Sequence, residues 1–229
     1  MNMTYPLSSV AELIGEPART TMLVSLLDGN SLPAGELARL AGISAQSASA
    51  HLSKLVDGGL LAPQINGRHR YYKITGPEVV HALEALGAIA TLPRPTTALR
   101  SREDIDISYA RSCYDHLAGH VAVELTKALH NFKVIRTSGS QAYKLGPKGP
   151  TWFANLDVDV RALARSRRAF ARRCLDWTER KPHLAGALGA ALFSRMLEAG
   201  WIARRHGTRA LRITHRGARE LQTLFGFIT

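Results

Sequence analysis

"GELARLAGISAQSASAHLSKLVDGGLLAPQINGRHRYYKI", residues 35–74, decides the fold of this chain. A short helix opened by Pro33 is closed by Gly42, and Ser44 then stands where a second helix needs its N-cap. In that second helix Ala48, Leu52 and Leu55 keep helical spacing, so one face is apolar and the other is polar. Asn66-Gly67, between two runs of β-formers, is a strong hairpin signal. Helix, turn, helix and hairpin in this order make a winged helix-turn-helix. Its second helix enters the DNA major groove, and its wing reaches backbone or minor groove.

The polar face has the chemistry for that task. Ser44, Gln46, Ser47, Ser49, Ser53 and Lys54 are the candidate DNA contacts of the helix. Glutamine pairs bidentately with adenine, serine meets either base edge, and lysine neutralises phosphate. His51, one turn on, either reaches phosphate or caps a packing contact. Arg68 and Arg70 in the wing suit phosphate or a narrow minor groove. The bland alternative is a solvated polar helix in a winged fold used for protein contacts.

The stretch resembles the ArsR family of bacterial winged-helix repressors in Glu36-Leu37, Gly42-Ile43-Ser44, Ser49, His51-Leu52, Leu55, Gly59-Leu60, Gly67-Arg68, Tyr72 and Ile74. The likeness extends over residues 8–92. It implies double-stranded promoter DNA as partner, a homodimer built on the first and fifth helices, and repression relieved by an effector. The metal-sensing members carry Cys-x-Cys on the helix before the recognition helix, where this chain has the cysteine-free "PAGELARLAG". Others use acidic and histidine pairs on the fifth helix, where this chain offers only Glu78, His81 and Glu84. The familiar effector sites do not carry over.

The totals bound the rest. A chain of 229 residues suffices for one large or two small domains, and 45% apolar with 21% charged residues is ordinary for a soluble globular protein. No apolar run approaches the ~18 residues of a membrane span, and the N-terminus has no signal-peptide pattern, so a cytoplasmic protein without membrane contact is expected. Two distant cysteines make no disulfide framework. The net charge of +12 points to a polyanionic partner. Residues 1–92 nevertheless hold 6 Lys/Arg against 7 Asp/Glu, and residues 93–229 hold 24 against 11. The excess lies wholly in the second part.

The expected fold class is mainly α with short β-hairpin wings (α+β). A winged DNA-binding and dimerisation domain covers 1–92, a linker covers 93–102 in "PRPTTALRSRED", and a helical, winged-helix-like regulatory domain covers 103–229. In the last, residues 104–132 read as a long helical stretch, 133–156 as loop with short strands, and 159–180 as a basic helix. A further helix and a second hairpin around His206-Gly207 follow. "HLSKLVDGGLLAPQINGRHRYYKITGPEV" and "ALFSRMLEAGWIARRHGTRALRITHRGAREL" share one schedule of helix, Gly59 or Gly200, strand, basic turn, strand ending Ile-Thr, and helix.

"CYDHLAGH", residues 113–120, raises the sensing question. On a helix Cys113, His116 and His120 fall within roughly 60° of arc, a metal-ligand spacing and equally a core spacing. Set beside Cys174-x-Asp176 and His183, the better candidate set is Cys113, His116, Cys174 and His183, with His120 a bystander. Three readings stay open. Zinc or another thiophilic metal takes the two cysteines and two histidines; the thiols answer oxidants or electrophiles beside arginines; or the cysteines are small buried hydrophobes and the histidines and aspartates hydrogen-bonded core or cap groups, with the effector an organic molecule or absent. Trp152, Phe153, Trp177 and Trp201 either line an organic pocket or belong to the core. Arg161, Arg165, Arg168 and Arg172 form either a solvated helix stripe or a second DNA surface.

A DNA-binding repressor of unknown effector is the function these features favour, with a nonspecific architectural DNA-binding protein as the alternative. An enzyme with a cysteine nucleophile would need an oxyanion turn or nucleophile loop, and neither cysteine has one beside it.

Overall fold

The computed structural model describes residues 7–66, 69–90, 102–205 and 208–226. The chain divides into two compact units, Met1–Leu83 and Glu84–Thr229. Apart from Arg102, the expected linker 93–102 lies outside the described residues, as do Gly67, Arg68, His206 and Gly207 of the two hairpin turns.

The first unit runs α1 (Leu7–Gly15), α2 (Pro17–Ser25), β1 (Leu32–Pro33), α3 (Ala34–Ala41), α4 (Ala45–Asp57), β2 (Leu61–Asn66) and β3 (His69–Ile74), then enters α5 (Pro77–Ile89). The strands form an antiparallel sheet in the order β1-β3-β2. Its boundaries follow local chemistry. Pro17 opens α2, whose N-cap Glu16 accepts from the N–H groups of Ala18 and Arg19 at 3.1 and 2.8 Å. The buried Arg19 donates 2.7 Å bonds to the carbonyls of Leu13 and Glu12, satisfying the end of α1. Gly42 turns left-handed at φ 65° to end α3, and Ser44 Oγ accepts from Ser47 N–H at 3.1 Å to start α4. Ala48, Leu52 and Leu55 are fully buried with Met22, Leu23, Leu37 and Leu61. Ser44→Ala is expected to cost the first unit about 1 kcal/mol, read as a lower urea midpoint by circular dichroism.

The second unit is richer in strands than the sequence suggests. After α6 (Arg102–Tyr109) come β4 (Arg111–Cys113), β5 (His116–Ala118), α7 (His120–Asn131), β6 (Ile135–Ser138), β7 (Ala142–Leu145), α8 (Gly149–Ala154), α9 (Val160–Ala164), β8 (Arg172–Leu175) and β9 (Pro182–Ala185). Then follow α10 (Gly186–Glu198), β10 (Ile202–Arg204), β11 (Leu211–Ile213) and α11 (His215–Phe225). One antiparallel sheet has the order β6-β7-β8-β9, and β4-β5 and β10-β11 are separate hairpins. The core gathers Leu125, Leu129, Ile135, Phe153, Leu188, Phe193 and Trp201.

Two expected helices are corrected here. The stretch 104–132 is broken by a tight hairpin, because Tyr114 takes a left-handed φ of 59° and pairs Cys113 with His116 across the turn. The stretch 159–180 is helical only at α9, because residues 172–175 take the place between β7 and β9, and strand pairing overrides helix propensity. The arginine stripe therefore dissolves. Arg161 lies on α9, Arg165 caps it, Arg168 pairs with Asp115, and Arg172 lies on a strand.

The internal repeat holds at the level of hydrogen bonds. At the end of α4, Leu60 N–H returns to Leu55 O, and Thr75 Oγ1 and N–H donate to the carbonyls of Gly59 and Leu60. At the end of α10, Trp201 N–H returns to Met196 O, and Thr214 donates in the same way to Gly200 and Trp201. The two helices differ in what they show to solvent. Gly186 to Gly189, the N-terminal turn of α10, is buried throughout, whereas in the corresponding turn of α4 Ala45, Gln46 and Ser47 are exposed and only Ala48 is buried.

Candidate functional site

On α4 the apolar stripe faces inward, so Ser44, Gln46, Ser47, Ser49, Ser53 and Lys54 are all exposed. Ser49 Oγ donates to Ala45 O at 3.0 Å and keeps its lone pairs outward for accepting. His51 is turned the other way: half-buried, its Nδ1 lies 3.4 Å from Glu16 Oε2 at the start of α2, without the alignment of a hydrogen bond. That is the packing position of the two offered by the sequence. Arg70 is exposed on β3, 5.8 Å over the Tyr72 ring, and Arg68 lies outside the described residues.

In the second unit Cys113, His116, Cys174 and His183 come together, with one ligand atom from each within 4.8 Å of the others. Two strand pairings build the group. Cys113 is the cross-strand partner of His116 in β4–β5, and Cys174 is that of His183 in β8–β9, so each pair shares a face of its hairpin. In both, the strand His-Leu-Ala ends at a glycine with φ of 89° (Gly119) or 80° (Gly186), and a helix starts there. A Cβ at Gly119 would stand 2.9 Å from Ser108 O, and one at Gly186 2.7 Å from Ala169 O, which accounts for the glycine that ends both "HLAG" segments. The helices then cross over: α10 packs on β5 and α7 on β9. His120 is exposed at the start of α7, facing Glu179 at 3.4 Å, away from the group.

Carboxylates and arginines surround the four residues. His116 Nδ1 lies 3.4 Å from Asp115 Oδ1, and Arg168 grips the Asp115 carboxylate with both terminal nitrogens. His183 Nδ1 lies 3.5 Å from Asp176 Oδ2, off the hydrogen-bond line. Asp176 accepts from Arg111 Nη2 at 3.0 Å and from the N–H groups of Gly119, Thr178 and Glu179. Arg111 is itself fully buried, over the Trp177 ring at 4.9 Å and 4.0 Å from Glu84. Burial pushes both aspartates up, but His116 and Arg168 at Asp115, and the Arg111 charge at Asp176, outweigh it and hold each at about 2. Burial works against the His116 cation, yet the neighbouring Asp115 and Cys174 raise it to about 9. Cys113 and the two imidazoles beside Cys174 lower its thiol, while the neighbouring Cys174 and burial push Cys113 up.

The sequence offers Asp115 and Asp176 only as hydrogen-bonded core or cap groups and Arg168 only as part of a basic stripe, and it gives Arg111 no role. For the aspartates the recurring Cys-x-Asp was the available signal. Nothing in the chain marks Arg111 as buried or pairs Arg168 with a residue 53 positions away.

A helix-turn-helix domain model matches residues 11–64. HTH-type transcriptional regulator YdfF of Bacillus subtilis (strain 168), itself uncharacterized, is 41% identical over 215 residues, 94% of this chain and 95% of its own. The chain belongs to the HTH-type transcriptional regulators. This regulator is also 32% identical over 78 residues to the regulator YgaV of Escherichia coli (strain K12), across 34% of this chain and 78% of that one. Among solved structures, NolR from Sinorhizobium fredii is 28% identical over 37% of the regulator and 83% of its own chain, with a TM-score of 0.35. The regulator thus binds DNA. No helix among the described residues is long and apolar enough to cross a membrane.

Proposed function

We propose that this regulator is a cytoplasmic, homodimeric, sequence-specific repressor of the ArsR type, which reads promoter DNA with α4 and leaves it when an effector acts on the second unit. The exposed row of Gln46, Ser47, Ser49, Ser53 and Lys54 on a capped helix carries the reading. It offers base-edge donors and acceptors together with a phosphate contact. Leu7 on α1 and Leu86 and Ile89 on α5 are exposed at 72%, 44% and 73%, which supports a second copy as partner of those helices. The buried N-terminal turn of α10 supports regulation, not base reading, as the task of the second unit.

The test uses duplexes selected from a random pool by the full chain, compared with scrambled duplexes across a salt series. Wild type prefers the selected duplex. Gln46→Ala is expected to lose about 1–3 kcal/mol of that preference, roughly 5- to 150-fold. Arg70→Ala weakens both duplexes alike. Equal wild-type affinity for both would leave the nonspecific architectural alternative standing instead.

A further inference from the structure

We propose that Cys113, His116, Cys174 and His183 bind one zinc-class divalent cation in a closed, four-coordinate site. This does not rest on the DNA-reading proposal. Zinc sits about 2.3 Å from sulfur and 2.0–2.1 Å from imidazole nitrogen, so a tetrahedral site has ligand–ligand edges of about 3.3 Å (N–N) to about 3.8 Å (S–S). His116 Nε2 and His183 Nε2 are 3.2 Å apart, and the whole set lies within 4.8 Å.

The surroundings favour a cation at the centre. Each imidazole turns Nδ1 towards an aspartate and Nε2 towards the other imidazole. Metal binding displaces the Nε2 protons, and the two Nε2 lone pairs then converge where one cation can accept both. This carboxylate–histidine pairing is the usual outer shell of a metal-bound imidazole. The charges also balance: two thiolates neutralise a divalent ion, and Arg168 and Arg111 neutralise Asp115 and Asp176. All four ligand residues are buried, with His183 and Cys113 at 0%, His116 at 1% and Cys174 at 7% exposure. Four protein ligands without an open position describe a structural site, which here ties the β4–β5 hairpin to β8–β9. Thiols this buried are poor targets for oxidants or electrophiles.

Cobalt(II) provides the readout. Cys113 and Cys174 are the only cysteines in the chain, so any thiolate-to-cobalt charge transfer reports this site alone. Chelator-treated full-length wild type, titrated with Co2+, is expected to take up one ion per chain. The complex should show the intense visible bands of a four-coordinate centre, and Zn2+ should displace it. Cys113→Ser and His183→Ala should lose the charge-transfer band or the four-coordinate spectrum. Asp115→Ala should keep the band but bind roughly 10–100-fold more weakly. His120→Ala should leave the affinity unchanged. Absence of a charge-transfer band in wild type would overturn the proposal, as would a six-coordinate spectrum or a Cys113–Cys174 disulfide in protein purified under reducing conditions. The wild-type titration decides even where a ligand variant fails to fold.

Discussion

Asp176→Ala is expected to lower the stability of the second unit by about 3–5 kcal/mol, the cost of stranding a buried charge by removing its partner. The Asp176 side chain is fully buried and accepts five hydrogen bonds: from Arg111, Gly119 N–H, Thr178 N–H and Oγ1, and Glu179 N–H. Alanine leaves the buried Arg111 guanidinium with Glu84 at 4.0 Å as its nearest remaining carboxylate, and it leaves the Gly119 N–H buried without an acceptor. Asp157 provides the contrast. It also pairs with an arginine, Arg195, at 3.0 Å, but its side chain is 82% exposed, so Asp157→Ala should cost no more than about 1 kcal/mol. Urea unfolding followed by tryptophan fluorescence reads both, because Trp152, Trp177 and Trp201 all lie in the second unit. Chelator in the buffer keeps a bound ion out of the comparison. A loss below about 1 kcal/mol for Asp176→Ala would contradict the buried-charge account.

The two units differ in how far they can be read from the chain, and the difference has a physical cause. In the first unit several boundaries are set by residues whose local chemistry is decisive: Pro17, Gly42 and Ser44 act within a few positions of themselves. The apolar period of α4 then determines which side chains point outward. In the second unit the strands are three or four residues long and lie among arginines, so neither period nor composition separates them from helix. The turn at Tyr114 lacks the glycine that usually announces a left-handed residue. The grouping of Cys113, His116, Cys174 and His183 was nevertheless legible, since Cys-x-Asp ahead of His-Leu-Ala-Gly occurs twice. What could not be read was the reason: cross-strand pairing in two hairpins, not spacing on a helix.

Phe153→Ala should cost the second unit about 3–5 kcal/mol, and it separates the two roles open to the aromatic residues. Phe153 is fully buried on α8, with the Trp152 ring edge-on at 4.9 Å, and shares one core with Leu129, Ile135, Leu188 and Trp201. Trp152 leans on Phe225 at 5.7 Å, and Trp177 lies under the Arg111 guanidinium. Between α7 and α10 the open space is about 10 Å³, lined by residues such as Leu125, Leu184 and Phe193, which is room for about one water and for no organic effector. Removing the ring therefore forfeits both its transfer energy and about 24 cal/mol for each Å³ of cavity left behind. Phe153→Leu, which keeps much of the volume, should lose less. A ligand-lining phenylalanine behaves differently, because its pocket is already open and truncation there barely changes the free protein's stability. If Phe153→Ala unfolded within about 1 kcal/mol of wild type in the same urea series, the core assignment would fail and an organic pocket at α8 would take its place.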